Sequence, residues 1–161
     1  MNISENSRIW IYQSSRVLNA GEQAQIQQKL NDFTSEWQAH GNSLAALGEI
    51  RHDQFIILSV DERIAGATGC SIDQSVRLMK EIEQEAGIEL FDRFRIAYRD
   101  KGEVTACSRS EFEELIVRGL VTPETIVFNN MINIRKDLET LWEVPLKDSW
   151  HARVFAGLIH N

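Results

Sequence analysis

The sequence predicts an α+β fold with a ferredoxin-like split βαβ core over residues 54–130, extended by an N-terminal strand and helix and by C-terminal helices. One observation predicts the fold class and another predicts the number of domains. The elements predicted between residues 54 and 130 run strand, helix, strand, strand, helix, strand, which is the order of the split βαβ unit. The 161 residues contain only two prolines and no repeat or linker, so a single α+β domain is expected over residues 1–161.

The N-terminal extension is predicted as one strand and one helix. The β-branched and aromatic run RIWIYQ (8–13) is typical of a strand. Asn19 and Glu22 form a capping pair, and apolar residues then recur at helical spacing until Gly41 ends the helix.

The first half of the core begins with the run QFIILSV (54–60), which is continuously apolar. Such a run predicts a central strand covered on both faces. Ser71 and Gln74 then match the capping-box pattern, and a stripe of apolar residues leads to Gly87, where this second helix should end.

The second half of the core is predicted as a hairpin, a helix and a strand. FRIAYRDKGEVTACS (94–108) contains two alternating runs joined through DKG, the signature of a three-residue hairpin loop. Ser108 and Glu111 repeat the capping box, and TIVFNN (125–130) predicts the last strand. The tail is predicted as two short helices broken at Pro145, the second capped by Ser149.

A composite binding site is expected where the helices begin. In a split βαβ core the strands over 54–60 and 104–107 are adjacent and parallel, so both following helices start at one end of the sheet. If the first strand is also parallel, its exit QSSR (13–16) reaches that end, where ligands often bind. The predicted ligand-binding residues are Gln13, Ser14, Arg16, Asp61, Arg63, Cys70, Ser71, Ser108 and Arg109.

The stretch GATGCSIDQSVRLM (66–79) contains the centre of this predicted site. Helix N-termini have unpaired amide donors and a partial positive charge, so they bind anions and lower the pKa of a nearby cysteine. We therefore expect a small anion at the Ser71 helix start, although Asp73 already complements the helix dipole. The alternative is structural: the glycines turn the chain and the serines only cap.

The two cysteines, Cys70 and Cys107, are too few for a disulfide framework and have no zinc spacing. Each precedes a predicted N-cap, where an apolar residue often packs against the fourth helical residue. For Cys107 the fourth helical residue is the apolar Phe112, which predicts that the thiol is packed and inert. For Cys70 the fourth helical residue is the polar Ser75, which predicts that the thiol is exposed. The alternative for Cys70 is a small buried side chain that fills space in the core.

Charge and motifs limit the function. The 17 Lys and Arg residues against 24 Asp and Glu residues give a net charge of −7, which disfavours nucleic acid and anionic membranes as partners. The N-terminal sequence has no apolar signal core, so a cytoplasmic protein is expected. No cofactor or metal is predicted, because the four histidines have no recognised metal spacing. Asp61 and Glu62 could act as acid or base, or could simply be a solvated strand exit.

Aromatic and basic residues gather near the C-terminus. The residues are Trp142, Trp150, His151 and Arg153. Tryptophan and arginine dominate binding hot spots, so a protein partner or a homodimer contact could lie there. Packing of the C-terminal helices onto the sheet explains the same residues.

The stretches IYQSSR, WQAHG, GCSIDQSV, LFDR and VPLKDSWHARVF together resemble a family of short, uncharacterised proteins from Bacteroidetes, some of them labelled ABC transporter ATPase. The resemblance spans nearly the whole chain and implies no activity and no catalytic residues. The ATPase label conflicts with this sequence, which lacks the phosphate loop GxxxxGK[ST] and an LSGGQ-like signature. The predicted function is therefore a cytoplasmic binding or regulatory module, and the alternative is a thiol-dependent enzyme that uses Cys70.

Overall fold

The computed structural model describes residues 3–159 and divides the chain into two compact units. The first unit contains the chain up to Phe91 together with Asn133–Lys136, and the second contains Asp92–Ile132 and the chain from Asp137 onwards. Each unit has an apolar core of its own. The fold is α+β, as predicted, and the domain expected over residues 1–161 is subdivided.

The first unit consists of two helices, a three-stranded sheet and a small separate hairpin. In chain order its elements are β1 (Arg8–Gln13), α1 (Ala20–Glu36), β2 (Gln38–Ala39), β3 (Asn42–Ser43), β4 (Ala45–Arg51), β5 (Phe55–Asp61) and α2 (Gly69–Ala86). The sheet order is β1-β5-β4, and both pairings are antiparallel. All seven residues of β5 are buried, which confirms the predicted central strand.

Both helices of the first unit contribute to one core. Residues of α1, β5 and α2 form a single buried cluster that includes Ile26, Leu30, Leu58, Met79 and Ile82. The Asn19–Glu22 capping box of α1 is confirmed, but α1 ends at Glu36 rather than at Gly41.

The predicted N-cap of α2 is wrong. The cap is Thr68, whose hydroxyl accepts the N–H of Ser71, and the Ser71 hydroxyl accepts the N–H of Thr68. Thr68–Ser71 and Ser71–Gln74 both have the spacing of a capping box, and the structure uses the earlier pair. The predicted end at Gly87 is confirmed, since this residue adopts the left-handed conformation at φ 65°.

The strand β4 was not predicted. A strand interior with a glycine and charged residues has a weak strand signal, and β4 contains Gly48, Glu49 and Arg51. The glycine has a packing reason, because a Cβ atom there would lie 2.8 Å from the Cβ of Leu30 on α1.

The second unit contains a four-stranded sheet. Its elements are β6 (Ile96–Asp100), β7 (Glu103–Cys107), α3 (Arg109–Val117), β8 (Ile126–Phe128), α4 (Asp137–Thr140), β9 (Glu143–Pro145) and α5 (His151–Val154). The sheet order is β7-β6-β8-β9, with antiparallel neighbours throughout.

Local predictions for this unit are largely confirmed. The Ser108–Glu111 capping box starts α3, and a strand lies within residues 125–130. The hairpin between β6 and β7 has a two-residue turn rather than the predicted three. Lys101 and Gly102 both have positive φ, at 52° and 87°, as in a type I′ turn.

The predicted pairing of residues 54–60 with residues 104–107 is wrong. The first segment is β5 and the second is β7, and these strands belong to different sheets. The ferredoxin-like core required them to be adjacent and parallel. Instead, β1 and β4 occupy the two sides of β5, and a short turn after Arg51 makes β4 and β5 antiparallel.

The C-terminal prediction is confirmed in part. Two short helices, α4 and α5, lie before and after Pro145, but Pro145 itself ends the strand β9 and is followed by a 3-10 helix over Leu146–Asp148. Ser149 does not cap α5; its hydroxyl forms a hydrogen bond of 2.6 Å with Nδ1 of His151. Between residues 3 and 159 no helix is long and apolar enough to cross a membrane.

Candidate functional site

The nine predicted binding residues lie in three groups. Each group belongs to one part of the chain: Gln13, Ser14 and Arg16 at and just after the end of β1; Asp61, Arg63, Cys70 and Ser71 between the end of β5 and the first turn of α2; Ser108 and Arg109 at the start of α3 in the second unit.

Antiparallel pairing separates the first two groups. Gln13 pairs with Phe55, so the end of β1 lies beside the start of β5, not beside its end at Asp61. The side chain of Arg16 also donates to the carbonyl of Ala86, in the last turn of α2, at 2.8 Å. An 18-residue helix is about 27 Å long. Arg16 and Ser71, which were predicted to line one site, therefore lie at opposite ends of α2.

The residues after β1 are engaged in local structure. Ser14 is buried, and its N–H donates to the carbonyl of Gln54 at 2.7 Å. Arg16 forms an ion pair of 2.6 Å with Glu22, which lowers the pKa of that carboxyl to about 2. Because Arg16 binds both Glu22 and the carbonyl of Ala86, its side chain joins the start of α1 to the end of α2.

Asp61 and Arg63 form an ion pair at the end of β5. The guanidinium of Arg63 lies 2.5 Å from the carboxylate of Asp61, and its hydrogen bonds lower the pKa of Asp61. A carboxylate with a lowered pKa is a poor proton acceptor at neutral pH, so this geometry does not favour Asp61 as a general base.

Hydrogen bonds of the buried residue Ser71 fix the first turn of α2. Ser71 is buried, its hydroxyl accepts the N–H of Thr68 at 2.7 Å, and its carbonyl accepts the indole N–H of Trp37 at 2.9 Å. Sequence reasoning missed this contact of Trp37, because nothing local in the sequence relates residue 37 to residue 71. The turn is thus rigidly placed, while Gly69 and Cys70 on its outer side are exposed.

Two amide donors of this turn are available. Gly69 and Cys70 are the first and second residues of α2, so their N–H groups have no acceptor within the helix. Among residues 3–159 neither N–H has a hydrogen-bond partner. The space next to Gly69 is open, since a Cβ atom there would meet nothing within 4 Å.

A carboxylate already lies close to the turn. Glu62 accepts the N–H of Ala67 at 2.9 Å, and a Cβ atom on Gly66 would lie 3.1 Å from the Glu62 carboxylate. The glycine at position 66 therefore leaves room for Glu62, and the negative charge of Glu62 lies within a few residues of the helix start.

The two cysteines differ as predicted. Cys70 is exposed, so the alternative of a small buried filler is wrong for it. Cys107 is buried in the same cluster as Phe112. Burial, with a smaller contribution from the charge of Glu111, raises the pKa of the Cys107 thiol to about 11. Cys107 is consequently a poor nucleophile at neutral pH.

The C-terminal aromatic residues are mostly core. Trp142 and His151 are buried, and burial lowers the pKa of His151 to about 4. Trp150 and Arg153 remain exposed. No group of three metal-ligating side chains is found between residues 3 and 159, and His160 lies outside the described residues.

Comparison with protein-family models, with curated proteins and with solved structures found no match to this chain. Inferences about its function therefore rest on the chemistry and geometry of the chain itself.

Proposed function

We propose that this protein is a binding module that holds a small anion at the first turn of α2. The observation that supports it is the pair of exposed N–H groups of Gly69 and Cys70, which have no acceptor among residues 3–159. Adjacent amides at a helix N-terminus point outward together, and the helix dipole adds partial positive charge.

The surroundings define what kind of anion fits. The turn is fixed by the Trp37 and Thr68 hydrogen bonds, so little conformational entropy is lost on binding. The nearby Glu62 carboxylate repels a second negative charge. The proposed ligand is thus small, is held mainly by backbone amides, and binds more tightly when Glu62 is neutral.

The proposal includes a cytoplasmic location and no role for nucleic acid. A net charge of −7 repels phosphate backbones. An exposed free thiol such as Cys70 is most often found in a reducing compartment. Membership of the bacterial family that the sequence resembles is part of the same proposal.

The test is a titration of the ¹⁵N-labelled protein with inorganic phosphate, followed by amide chemical shifts. We expect saturable shifts at Gly69 and Cys70 in the wild type. Gly69→Pro removes one donor at the first helical position, where proline is tolerated, and should weaken binding about fivefold. Gly69→Ala retains the donor in open space and serves as the matched control.

A charge variant sharpens this test. Glu62→Gln should tighten phosphate binding about threefold, because it removes the nearby negative charge. Shifts that do not saturate, or that are unchanged by Gly69→Pro, would show that the loop is only a structural turn.

The alternative function is a thiol-dependent enzyme, which the exposure of Cys70 at the helix start favours. Its test is a thiol titration of the native protein. A single cysteine that reacts fast below pH 7 would support the enzyme, and two unreactive thiols would support the module.

A further inference from the structure

One face of the first sheet contains a cluster of charged side chains that the α2 site does not use. Ile56 and Leu58 of β5 pack into the core that α1 and α2 share. Successive side chains of a strand point to opposite faces, so Ser59 lies on the face turned away from that core. The register places Glu49 and Arg51 of β4 on the same face as Ser59.

The segment Asn133–Lys136 brings a second arginine to this face. The N–H of Arg135 donates to the carbonyl of Ser7 at 2.8 Å, so the segment lies beside the start of β1. From there the Arg135 side chain extends past β1 to the hydroxyl of Ser59 on β5 and the carboxylate of Glu49 on β4. A backbone contact and a side-chain contact thus fix both ends of this arginine.

Glu49 holds the two arginines together. One of its carboxylate oxygens accepts Nε of Arg51 at 2.5 Å, and the other accepts Nη1 of Arg135 at 2.7 Å. The same Nη1 also donates to the buried hydroxyl of Ser59 at 2.9 Å. Two nitrogens that share one carboxylate in this way are at most about 8 Å apart. The pair is therefore preorganised, and a ligand bound there would cost little side-chain entropy.

Both guanidiniums retain donors that the described chain does not use. A guanidinium has five N–H donors. Within residues 3–159, Arg51 donates only from Nε and Arg135 only from Nη1. In the same part of the chain, neither has a nitrogen that is both buried and unpartnered. Since the two side chains are 30% and 18% exposed, their remaining donors face solvent.

The charges on this face do not balance. The charged side chains that β1, β4 and β5 place there are Glu49, Arg51 and Asp61, and Arg135 adds a fourth. Asp61 is paired with Arg63 at 2.5 Å. On this face Glu49 is thus shared by two arginines, which leaves one surplus positive charge in a chain of net charge −7. Such a local charge attracts an anionic group.

We propose that Arg51 and Arg135 bind the carboxylate group of a small molecule. The planar fork of a guanidinium matches the two oxygens of a carboxylate. A singly charged group neutralises the surplus charge, whereas a doubly charged phosphate leaves a negative charge beside Glu49. This site lies on the sheet and is independent of the anion site proposed on α2.

The test is a titration of the full ¹⁵N-labelled chain with acetate at constant ionic strength, followed by the arginine Nε–H signals. We expect saturable shifts at Arg51 and Arg135. Arg51→Gln should weaken acetate binding at least about fivefold, because it removes one charged fork. The matched control is Arg8→Gln, which removes the same charge beside Val60 on the opposite face of the sheet. It should change binding less than about twofold.

Two further variants define the contact and its place. Arg51→Lys retains the charge but loses the planar fork, so it should weaken acetate binding about threefold. Gly69→Pro alters the α2 turn and should leave the shifts at Arg51 unchanged. In both Arg51 variants Glu49 keeps Arg135 as its partner, and thermal melts check that each variant is folded.

Four results would overturn the proposal. The first is shifts that never saturate, which would make the cluster an ion-pair network and nothing more. The second is acetate binding that Arg51→Gln or Arg51→Lys leaves unchanged. The third is inorganic phosphate binding these residues more tightly than acetate, which would assign the cluster to phosphate ligands. The fourth is loss of the shifts in Gly69→Pro, which would assign the acetate to α2.

Discussion

The starts of α2 and α3 have the same dipeptide, Cys-Ser, in two different positions. At α3 the cysteine precedes the N-cap Ser108, so Cys107 packs under the helix beside Phe112. At α2 the cap is Thr68, so Cys70 and Ser71 are already inside the helix, and Cys70 points to solvent. A shift in cap position thus changes a buried thiol into an exposed one.

The largest expected effect concerns the residue that packs against each helix start. Phe112→Ala should lower the free energy of unfolding by about 3–5 kcal/mol, because Phe112 is fully buried. Ile72 has the equivalent fourth position in α2 but is only half-buried, so Ile72→Ala should cost less than half as much. Urea denaturation followed by fluorescence measures both. Equal costs would show that the two helix starts pack alike.

Thiol reactivity is the next largest difference. In the native protein at pH 8, Cys70 should be alkylated at least about 100-fold faster than Cys107, whose pKa of about 11 leaves little thiolate. Iodoacetamide labelling with mass-spectrometric assignment measures the ratio. In denaturant the two rates should converge, and similar rates in the native state would contradict the different positions.

The pH dependence of stability should separate the cysteines as well. The pKa of Cys107 is raised from 9.0 to about 11 in the folded chain, so the native state retains this proton at a pH where the unfolded state has lost it. Its contribution to stability is complete below pH 9 and is lost as the pH rises from 9 towards 11, by roughly 2 kcal/mol. Cys107→Ala should remove this part of the decline, which is measured from urea midpoints between pH 8 and 11.

The matched variant for that measurement is Cys70→Ala. We expect it to show the same decline in stability as the wild type, since the exposed thiol is not buried on folding. A decline that persists in Cys107→Ala would assign it to other groups, such as Tyr98, whose pKa is also raised by burial.

The smallest effect concerns the caps. Thr68→Ala and Ser108→Ala should each cost about 1 kcal/mol of unfolding free energy, because each removes the hydroxyl that accepts an N–H in the first turn. Thermal melts are sufficient for the measurement. If Thr68→Ala cost nothing, the Ser71–Gln74 interpretation of the sequence would regain support.

Sequence reasoning succeeded where the signal is local. The caps at Asn19 and Ser108, the central strand after Gln54 and the helix end at Gly87 follow from side chains within a few residues of each other. The start of α2 was ambiguous, because two overlapping residue pairs, Thr68–Ser71 and Ser71–Gln74, both have the spacing of a capping box.

Predictions from the sequence failed where the strands or side chains in contact are far apart along the chain. The predicted site depended on β5 and β7 being neighbours, and neither strand's sequence specifies its partner. The weak signal of β4 concealed the strand that occupies one side of β5. The hydrogen bond from the Trp37 indole to the Ser71 carbonyl joins residues 34 positions apart, so no local pattern in the sequence predicts it.

The segment Asn133–Lys136 belongs to the first unit, although more than forty residues of the second unit precede it in the chain. Arg135 brings a guanidinium to Glu49 and to the hydroxyl of Ser59, at 2.7 and 2.9 Å. During synthesis, therefore, the first unit emerges from the ribosome with Glu49 and Ser59 still lacking Arg135. Synthesis proceeds at about 5–20 residues per second, so several seconds pass before the segment with Arg135 follows the first unit. During this time a chaperone or a protease can reach the incomplete first unit.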